Sequence, residues 1–449
     1  MGRLFGTDGV RGIANTELTP ELAFKLGKVG TYVLKKENKR PVVLIGKDTR
    51  VSGDMFESAL SAGILAMGGN VIKLGVLPTP AVAFLVKKYE AAAGIMISAS
   101  HNPYEYNGIK FFNDEGFKLD DSIEDEIEEL IVRNIDITGH IKGDLLGKAL
   151  DGEEQALDSY VEFLISTVDV DFKGMKVVLD CANGAAYQVA EKVFNRLGAH
   201  TIAINNKPDG ININELCGST SPESLQKKVL KEHADVGLAF DGDADRLIVV
   251  DEKGQITDGD KTIFICAKHL KNKGILRNNK VTVTVMSNIG FHKACAKEEI
   301  KVDTTKVGDR YVLESMLKSG SIIGGEQSGH IIFLNHTTTG DGILSALQFM
   351  QAIKESGKRP SEMAEEMVVY PQVLKNAKIK RENRENFDKD TEIKEKISQT
   401  EKLVGSNGRV LIRPSGTEPL IRVMLEGDDS VKIETLAGEL AGFIEERLG

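Results

Sequence analysis

The sequence predicts an α/β protein with three successive α/β domains, built on mixed or parallel sheets, and a smaller C-terminal α+β domain. First, the chain has 449 residues, more than the roughly 100–150 that one hydrophobic core usually serves. Second, short apolar runs alternate with helical periodicity as far as residue 368. Third, charged and irregular sequence replaces this alternation from residue 369 onward. We therefore expect domains at residues 1–153, 154–256, 257–368 and 369–449.

In the first domain, the apolar runs at residues 42–46, 71–74 and 94–98 predict buried strands. A helix is expected to begin after Ser52 as its capping residue and to end at Gly68, and another follows Pro80. Thr19 and Pro20 are typical of the start of an earlier helix, because they supply a capping hydroxyl and a preset first turn.

The pattern recurs twice. Strands are expected at 176–179, 200–204 and 236–240, with a helix at 222–233, and then at 281–285, 301–304 and 321–324. The last domain is expected to hold helices at 392–400 and 430–448 and strands at 410–413 and 420–425. Alternating strands and helices of this length predict parallel layers with helices on both faces.

Three unusual loops directly follow predicted strands. They are the SASHNP loop (residues 98–103), the DGDADR loop (241–246) and the GEQSGH loop (325–330). Ligands of such sheets bind beyond the carboxyl ends of the strands, so these loops predict a functional site.

The DGDADR loop has the composition of a metal site. Asp241, Asp243 and Asp245 can converge on one hard divalent cation if the backbone curls, and without a cation their charges repel. An EF-hand is excluded, because Arg246 stands where the sharp turn needs glycine and the flanks are strands. An alternative is a magnesium-dependent phosphatase in which Asp241 itself attacks phosphorus.

The SASHNP loop offers a nucleophile. Ser100 follows a buried strand, lies beside His101 and precedes Lys110 by ten residues. A hydroxyl in this setting can accept a phosphoryl group if a metal and cations offset the charge. An acyl-transfer serine is disfavoured, because the G-x-S-x-G elbow is absent. Taken alone, a Ser-His pair in a turn is more often structural than catalytic.

The RPSGTEP turn (residues 413–419) is suited to a phosphate. Arg413 supplies a charged fork, and Ser415, Gly416 and Thr417 supply hydroxyl and backbone N–H donors. As an isolated motif it fits an ordinary hairpin turn equally well.

The GEQSGH loop and the N-terminal loop complete the candidate residues. Glu326 and Ser328 can hydrogen-bond sugar hydroxyls or an amine, and His330 can donate to a phosphate. A glycine-rich structural turn is an equally good interpretation. Arg11, in the loop FGTDGVRG, can reach an anion.

Composition narrows the function classes. The 57 Lys and Arg against 67 Asp and Glu give a net charge of −10, which argues against nucleic-acid and anionic-membrane surfaces. The four cysteines form no CxxC pair and indicate a reduced, cytoplasmic protein. The longest charge-free stretch, residues 58–72, is shorter than the roughly 20 residues of a membrane helix. The start lacks the apolar core of a signal peptide.

Together and in this order, the motifs resemble the α-D-phosphohexomutase superfamily from residue 5 to about residue 425. The resemblance implies four domains around a central cleft, each contributing one loop. Within the superfamily, the runs FGTDGVRG, GIMISASHNPYEYNGIKFF and GGEQSGH are similar to those of phosphoglucosamine mutases. The resemblance therefore implies interconversion of glucosamine 6-phosphate and glucosamine 1-phosphate, a reaction that feeds synthesis of UDP-N-acetylglucosamine and cell-wall precursors.

The resemblance also implies a phosphoserine at Ser100 and one Mg²⁺ held by that phosphoserine and the three aspartates. Glucosamine 1,6-bisphosphate is the implied intermediate. The implied activator is this compound or a similar bisphosphate. The resemblance implies that Arg11 and Arg246 offset phosphoryl charge. It also implies that Gly308 is a substrate-binding residue. The proton-transfer group stays open among His101, Lys110 and His330.

Other functions stay open at this stage. Another phosphohexomutase, acting on glucose or mannose phosphates, has the same loops. A sugar-phosphate-binding protein without activity leaves the pairing of a reactive serine with a metal triad unexplained. The expected partner is a small amino sugar phosphate, with no nucleic acid and no membrane, and a homodimer is one assembly that the sequence leaves open.

Overall fold

The computed structural model describes residues 4–6, 8–35, 40–135, 137, 139, 141–415 and 418–449. The chain divides into two compact units: residues 1–286 with 300–365, and residues 287–299 with 366–449. No helix in these described ranges has the length and apolar character needed to cross a membrane.

The first unit begins with a six-stranded sheet of order β1-β5-β4-β2-β3-β6. Its strands are β1 (Val10–Ile13), β2 (Val42–Lys47), β3 (Asn70–Val76), β4 (Ala93–Ile97), β5 (Tyr106–Asn113) and β6 (Ala149–Asp151). Its helices are α1 (Pro20–Leu34), α2 (Gly53–Ala66), α3 (Thr79–Lys88) and α4 (Asp121–Val132). Strands β2, β3, β4 and β6 are parallel, and β5 runs antiparallel to β1 and β4.

Both predicted helix starts are confirmed, but only one of them has the predicted side-chain cap. Thr19 caps α1 as predicted, because its Oγ1 accepts from the N–H of Leu22 at 3.2 Å and Pro20 opens the first turn. Helix α2 begins directly after Ser52 as predicted, but the predicted side-chain cap there is wrong. Ser52 has helical backbone angles, makes no capping bond, and its Oγ instead accepts from Nδ2 of Asn107 at 2.8 Å.

The second sheet has five strands in the order β11-β10-β9-β7-β8. They are β7 (Lys176–Asp180), β8 (His200–Ile204), β9 (Val236–Phe240), β10 (Leu247–Asp251) and β11 (Ile256–Thr257). The helices are α5 (Glu153–Ile165), α6 (Ala186–Arg196) and α7 (Glu223–Glu232). Strands β7, β8 and β9 are parallel, and β10 is antiparallel to β9.

The third sheet has four strands in the order β13-β12-β14-β15. They are β12 (Lys280–Thr284), β13 (Lys301–Thr305), β14 (Ile323–Gly325) and β15 (Ile331–Phe333). Helices α8 (Gly259–Asn272), α10 (Asp309–Ser319), α11 (Gly342–Ser356) and α12 (Pro360–Ala364) belong to the same unit. The helix that connects β12 to β13, α9 (Ile289–Lys297), belongs to the second unit.

Each sheet of the first unit carries one motif loop between a parallel strand and its antiparallel neighbour. The SASHNP loop connects β4 to β5, the DGDADR loop connects β9 to β10, and the GEQSGH loop connects β14 to β15. Strands β4, β9 and β14 are buried along their whole length. The prediction of mixed α/β sheets is confirmed, and all three loops emerge from buried strand ends.

The second unit is the predicted smaller α+β domain together with α9. Strands β16 (Gln372–Lys378), β18 (Leu420–Glu426) and β17 (Arg409–Pro414) form an antiparallel sheet, and α13 (Thr391–Val404) and α14 (Ser430–Leu448) accompany it. The sequence did not predict β16, because Ala377 is its one fully buried residue. Helix α9 joins this unit through the N–H of Ile289, which donates to Glu426 at 3.1 Å.

Candidate active site

Ser100 occupies a strained position at the carboxyl end of β4. Its φ is 53°, in the left-handed region that residues other than glycine rarely adopt. Its N–H donates to Oγ of Ser98 at 2.9 Å, and its own Oγ donates to Oδ2 of Asp241 at 2.8 Å. Ser100 is 2% exposed. The backbone conformation therefore directs the hydroxyl at the DGDADR loop.

The three aspartates of the DGDADR loop converge. One carboxylate oxygen from each of Asp241, Asp243 and Asp245 lies within 4.8 Å of the other two, and all three residues are buried. Oδ1 of Asp243 and Oδ1 of Asp245 are buried without a hydrogen-bond partner. Buried carboxylate oxygens that lack a donor and face one another fit a hard divalent cation such as Mg²⁺.

Two glycines permit the close approach of the loops. A Cβ at Gly242 would lie 2.5 Å from the carbonyl oxygen of Ser100. Gly329 has a φ of 93°, and a Cβ there would lie 2.2 Å from the carbonyl oxygen of Leu247. Any larger residue at either position would separate the DGDADR loop from one of its neighbours.

Asp243 is held by two residues of the first sheet's domain. Nζ of Lys110 lies 2.8 Å from Oδ2 of Asp243, and Oγ1 of Thr79 donates to the same oxygen at 2.6 Å. The N–H of Thr79 also donates to the carbonyl oxygen of Asp243 at 2.9 Å. Thr79 is the first residue of α3. Because it makes both bonds, it fixes the backbone and the side chain of this aspartate.

The aspartates differ in their electrostatic surroundings. Burial raises the pKa of Asp241 well above its usual range, and the neighbouring Asp245 and Asp243 raise it further. Burial and Asp243 likewise raise the pKa of Asp245. For Asp243, burial acts in the same direction, but Lys110 overrides it and lowers the pKa. Negative charge is therefore balanced at one aspartate and crowded at the other two.

His101 lies beside the nucleophile. Its Nδ1 is 3.4 Å from Oγ of Ser100. Burial, and then the nearby cations Arg246 and Arg11, lower the pKa of His101 to about 4. The imidazole is therefore neutral near pH 7 and can accept a proton.

Arg11 and Lys110 meet at a carboxylate that the sequence analysis did not single out. Asp8 pairs with Arg11, with Lys118 and with Lys110, whose Nζ lies 3.1 Å from Oδ2 of Asp8. Burial alone would raise the pKa of Asp8, but the three cations hold it well below the usual range. Lys118 also pairs with Asp309. Three cations thus surround one half-buried carboxylate, and one of them, Lys110, also contacts Asp243.

Hydrogen bonds of the GEQSGH loop connect three of the predicted residues, Gly308, Glu326 and His330. Oε1 of Glu326 accepts from the N–H of Gly308 at 3.1 Å, and the N–H of Glu326 donates to the carbonyl oxygen of His330 at 3.0 Å. Ser328 is exposed. Nε2 of His330 lies 3.8 Å from Asp309, and both ring nitrogens of this buried histidine lack a hydrogen-bond partner.

Arg246 connects the loops. Its Nε lies 4.0 Å from Oδ2 of Asp241 and 3.9 Å from Oδ1 of Asp245, and its backbone bridges to His330. Burial would lower its pKa, but these carboxylates raise it, so the guanidinium stays charged beside the triad.

The first unit thus assembles the predicted residues of three loops, and it adds Asp8, Thr79, Lys118 and Asp309. Two of the additions stood beside residues already selected: Asp8 is in the run FGTDGVRG and Asp309 follows Gly308. Thr79 and Lys118 gave no local signal, because their role depends on contacts distant in sequence.

The RPSGTEP turn lies in the second unit and begins with the last two residues of β17. Arg413 pairs across the sheet with Arg422, and burial followed by the charge of Arg422 lowers its pKa. The N–H of Ser415 donates to the carbonyl oxygen of Leu420 at 2.9 Å, and its Oγ accepts from the N–H of Glu418 at 3.2 Å. The predicted ligands Gly416 and Thr417 lie outside the described residues.

Four family models match the chain in order along its length. They describe phosphoglucomutase/phosphomannomutase α/β/α domain I at residues 2–136, domain II at 158–254, domain III at 258–370 and the C-terminal domain at 374–443.

Similar proteins extend over the full chain. A protein of Clostridium novyi named phosphoglucosamine mutase is 56% identical over 447 residues, which covers 100% of this chain and 99% of that protein. One of Acetivibrio thermocellus with the same name is 55% identical over 450 residues and covers both chains completely.

Solved structures share the fold. A phosphoglucomutase/phosphomannomutase family protein from Burkholderia thailandensis superposes with a TM-score of 0.82 at 22% identity, covering 99% of this chain and 97% of that one. N-acetylphosphoglucosamine mutase from Aspergillus fumigatus, solved with GlcNAc-6P and magnesium, gives a TM-score of 0.72 at 17% identity, covering 99% and 96%. With all four domain models matched and full-length relatives above 50% identity, the chain belongs to the phosphoglucomutase/phosphomannomutase family, within the α-D-phosphohexomutase superfamily.

Proposed function

We propose that this protein is a phosphoglucosamine mutase, which interconverts glucosamine 6-phosphate and glucosamine 1-phosphate through a phosphoserine at Ser100. The observation that carries the proposal is the 2.8 Å hydrogen bond from Oγ of Ser100 to Asp241, inside a group of three converging buried aspartates. The name shared by full-length relatives at 55–56% identity supports the choice of sugar.

The reaction needs two phosphoryl transfers. The C1 hydroxyl of glucosamine 6-phosphate attacks the phosphorus on Ser100, a new P–O bond forms, and the bond from phosphorus to Oγ breaks. The product is glucosamine 1,6-bisphosphate. After this intermediate turns over, Oγ attacks the phosphoryl group on O6, and glucosamine 1-phosphate leaves. Each transfer replaces one P–O bond by another, so no oxidant and no other reactant is required.

Side chains near Ser100 are suited to moving the proton. Nδ1 of His101 lies 3.4 Å from Oγ, within reach after a small adjustment, and the ring is neutral. Lys110 is a poorer base, because its pKa is raised. Burial alone would lower this pKa, but the carboxylates of Asp243 and Asp8 outweigh burial. His330, with two unpartnered nitrogens, is placed to donate to a substrate phosphate. We assign proton exchange at Ser100 to His101.

The aspartates would hold a magnesium ion together with the phosphoserine. When bound, the ion offsets the charge of the transferred phosphoryl group and orients it. Lys110 and Thr79 orient Asp243 toward that position, and Arg246 places a fixed positive charge beside Asp241 and Asp245. Arg11 supplies a further cation.

The two ends of the sugar phosphate require separate contacts, because the intermediate is used in both orientations. We assign the sugar to Glu326, Ser328 and the loop of Gly308, where a bond between Glu326 and Gly308 fixes the carboxylate. We assign the phosphate that is not transferred to the RPSGTEP turn, through Arg413, Ser415, Gly416 and Thr417.

We further propose a cytoplasmic enzyme, since the four cysteines are buried and form no CxxC pair, and amino sugar phosphates are its substrates. A bisphosphate of glucosamine or a similar sugar would activate it by phosphorylating Ser100. We expect no nucleic-acid partner and no membrane partner, and a homodimer is the assembly to examine.

Intact-mass analysis tests the covalent step. Incubation with glucose 1,6-bisphosphate and Mg²⁺ should add one phosphate to the protein, and peptide mapping should place it on Ser100. Subsequent addition of glucosamine 6-phosphate should remove it. Phosphate on Asp241 instead would indicate the phosphatase chemistry and overturn the proposal.

A further inference from the structure

Arg50 makes an unusually complete set of bonds in the floor of the SASHNP loop. Its side chain is fully buried, and Nε donates to Oδ2 of Asp48 at 2.9 Å. Nη2 donates to the carbonyl oxygens of Ser100 at 2.9 Å and Asn102 at 2.8 Å. Nη1 donates to those of Tyr106, at 3.0 Å, and Pro103. All five N–H donors of the guanidinium are therefore used, four of them on main-chain carbonyls of the segment that begins at the nucleophile.

Asp48 extends this network to the other side of the nucleophile's backbone. Its Oδ2 accepts from Oγ of Ser98 at 2.6 Å, and Oγ of Ser98 accepts from the N–H of Ser100 at 2.9 Å. Arg50 bonds the C=O of Ser100 directly and its N–H through Asp48 and Ser98. Both backbone polar groups of the nucleophile are thus fixed by one buried ion pair.

The conformation held in this way is a costly one. Ser100 has a φ of 53°, and the left-handed region is unfavourable for a residue with a Cβ, so surrounding contacts must maintain it. Nδ2 of Asn214 also donates to the carbonyl oxygen of Ser100, at 2.9 Å. A lysine at position 50 could keep the charge but could not reproduce four bonds arranged in a planar fork.

We propose that Arg50 is a positioning residue for phosphoryl transfer: its guanidinium holds the strained Ser100 backbone so that Oγ faces Asp241. The inference rests on the proposed role of Ser100 and adds a residue that touches neither the reacting atoms nor the three aspartates. The fold explains its place. Strands β2 and β4 are parallel neighbours, so Arg50, just beyond β2, lies at the same sheet edge as the SASHNP loop.

The test measures phosphorylation of Ser100 in a single turnover. Dephosphorylated protein is mixed with glucose 1,6-bisphosphate and Mg²⁺, quenched at intervals and analysed by intact mass. The Arg50→Lys variant should phosphorylate Ser100 about 100-fold more slowly than the wild type, as expected for a small misplacement of a reacting group. Its KM for glucosamine 6-phosphate should stay within about threefold of the wild-type value, because no proposed substrate contact is altered.

Arg40→Lys is the matched control. Arg40 is exposed in the same domain and also donates to main-chain carbonyls, those of Leu146 at 3.2 Å and Asp144 at 2.9 Å. This variant should keep the wild-type rate. If Arg50→Lys phosphorylates Ser100 as fast as Arg40→Lys does, the positioning role is wrong.

Ser98→Ala provides a milder variant in case Arg50→Lys does not fold. It removes only the hydroxyl between Asp48 and the N–H of Ser100, and it should slow Ser100 phosphorylation about tenfold. A wild-type rate in this variant would contradict the inference. Failure of the proposed function is distinguishable, because then wild-type protein itself would acquire no phosphate on Ser100.

Discussion

The ammonium group of Lys110 lies 2.8 Å from Oδ2 of Asp243, and neither side chain is more than 2% exposed. This ion pair joins the domain of the nucleophile to the DGDADR loop. It also makes the three aspartates unequal, because the charge of Asp243 is balanced within the protein. Asp245 has the guanidinium of Arg246 at 3.9 Å and a buried oxygen without a hydrogen-bond partner.

The same substitution at these two aspartates should therefore change stability in opposite directions. In magnesium-free buffer, Asp243→Asn should lower the free energy of unfolding by about 3 kcal/mol, the low end for a broken buried pair, since Asp8 still faces Lys110. Asp245→Asn should raise it, because one of three crowded charges is removed. Urea unfolding measures both. Equal destabilisation by the two variants would contradict the inequality.

Magnesium binding should respond to both substitutions in the same direction. Each removes a charged ligand, so each should weaken Mg²⁺ affinity by more than the roughly 10–100-fold expected for an outer-shell partner. Thr79→Val is that outer-shell comparison, because Thr79 donates to Asp243 at 2.6 Å. Isothermal titration gives the affinities. An unchanged affinity in Asp243→Asn would show that the triad is not the metal site.

Removal of the nucleophile should abolish turnover without unfolding the protein. Ser100→Ala should reduce conversion of glucosamine 6-phosphate by a factor of about 10⁴ or more, measured with a bisphosphate activator present. Ser100→Gly should be equally inactive but at least as stable as Ser100→Ala, since glycine adopts a φ of 53° without strain. Near wild-type rates in either variant would exclude the covalent mechanism.

Arg413 should contribute to binding rather than to chemistry. Loss of a charge-assisted contact to phosphate costs about 1.5–3 kcal/mol, so Arg413→Ala should raise KM for glucosamine 6-phosphate about tenfold to hundredfold. More bisphosphate should also escape into solution, which phosphorus NMR detects. Arg422→Ala, on the neighbouring strand, is the control. A variant with unaltered KM but no phosphate on Ser100 would place Arg413 with the chemistry instead.

A buried carboxylate should give stability a defined pH dependence. Burial raises the pKa of Asp341 to about 6, although Leu344 and Tyr160 donate to it at 2.9 and 2.7 Å and lower it. The ordinary value is about 3.9, so the folded protein binds more protons than the unfolded chain between these two pKa values. The contribution of Asp341 to stability is therefore present at low pH and lost as the pH rises through 6.

The corresponding measurement compares wild type with Asp341→Asn. The difference in unfolding free energy should shift in favour of the asparagine variant by about 2 kcal/mol between pH 4 and pH 7. The exposed Asp144→Asn serves as the control and should show no such shift. A flat difference for Asp341→Asn across this range would contradict the assignment.

The sequence was sufficient for features that depend on local pattern. Buried strands such as β9 are continuous apolar runs, and the motif loops follow them directly, so the place of Ser100 and of the aspartates could be predicted. The antiparallel pairing of β5 and β10 was not predicted, although the loops that join these strands to β4 and β9 are too short for a crossover helix and so require antiparallel pairing.

The sequence was insufficient wherever a side chain acts at a distance. Thr79 precedes Asp243 by 164 residues, and Arg50 precedes Ser100 by 50, so no spacing rule connects them. The sequence around Ser52 resembled a helix cap, but the hydroxyl oxygen of Ser52 accepts a hydrogen bond from the amide of Asn107 instead. Strand β16 was not predicted, because its side chains are mostly exposed and its sequence lacks the alternation of apolar and polar residues.

The membership of α9 in the second unit has a consequence for recombination between relatives. Residues 287–299 are interior to the β12–α9–β13 connection, yet they belong with residues 366–449. A crossover placed at residue 369 would pair α9 of one parent with the sheet of another, and the bond from Ile289 to Glu426 would join mismatched partners. Functional chimeras are expected to inherit both segments from the same ancestor.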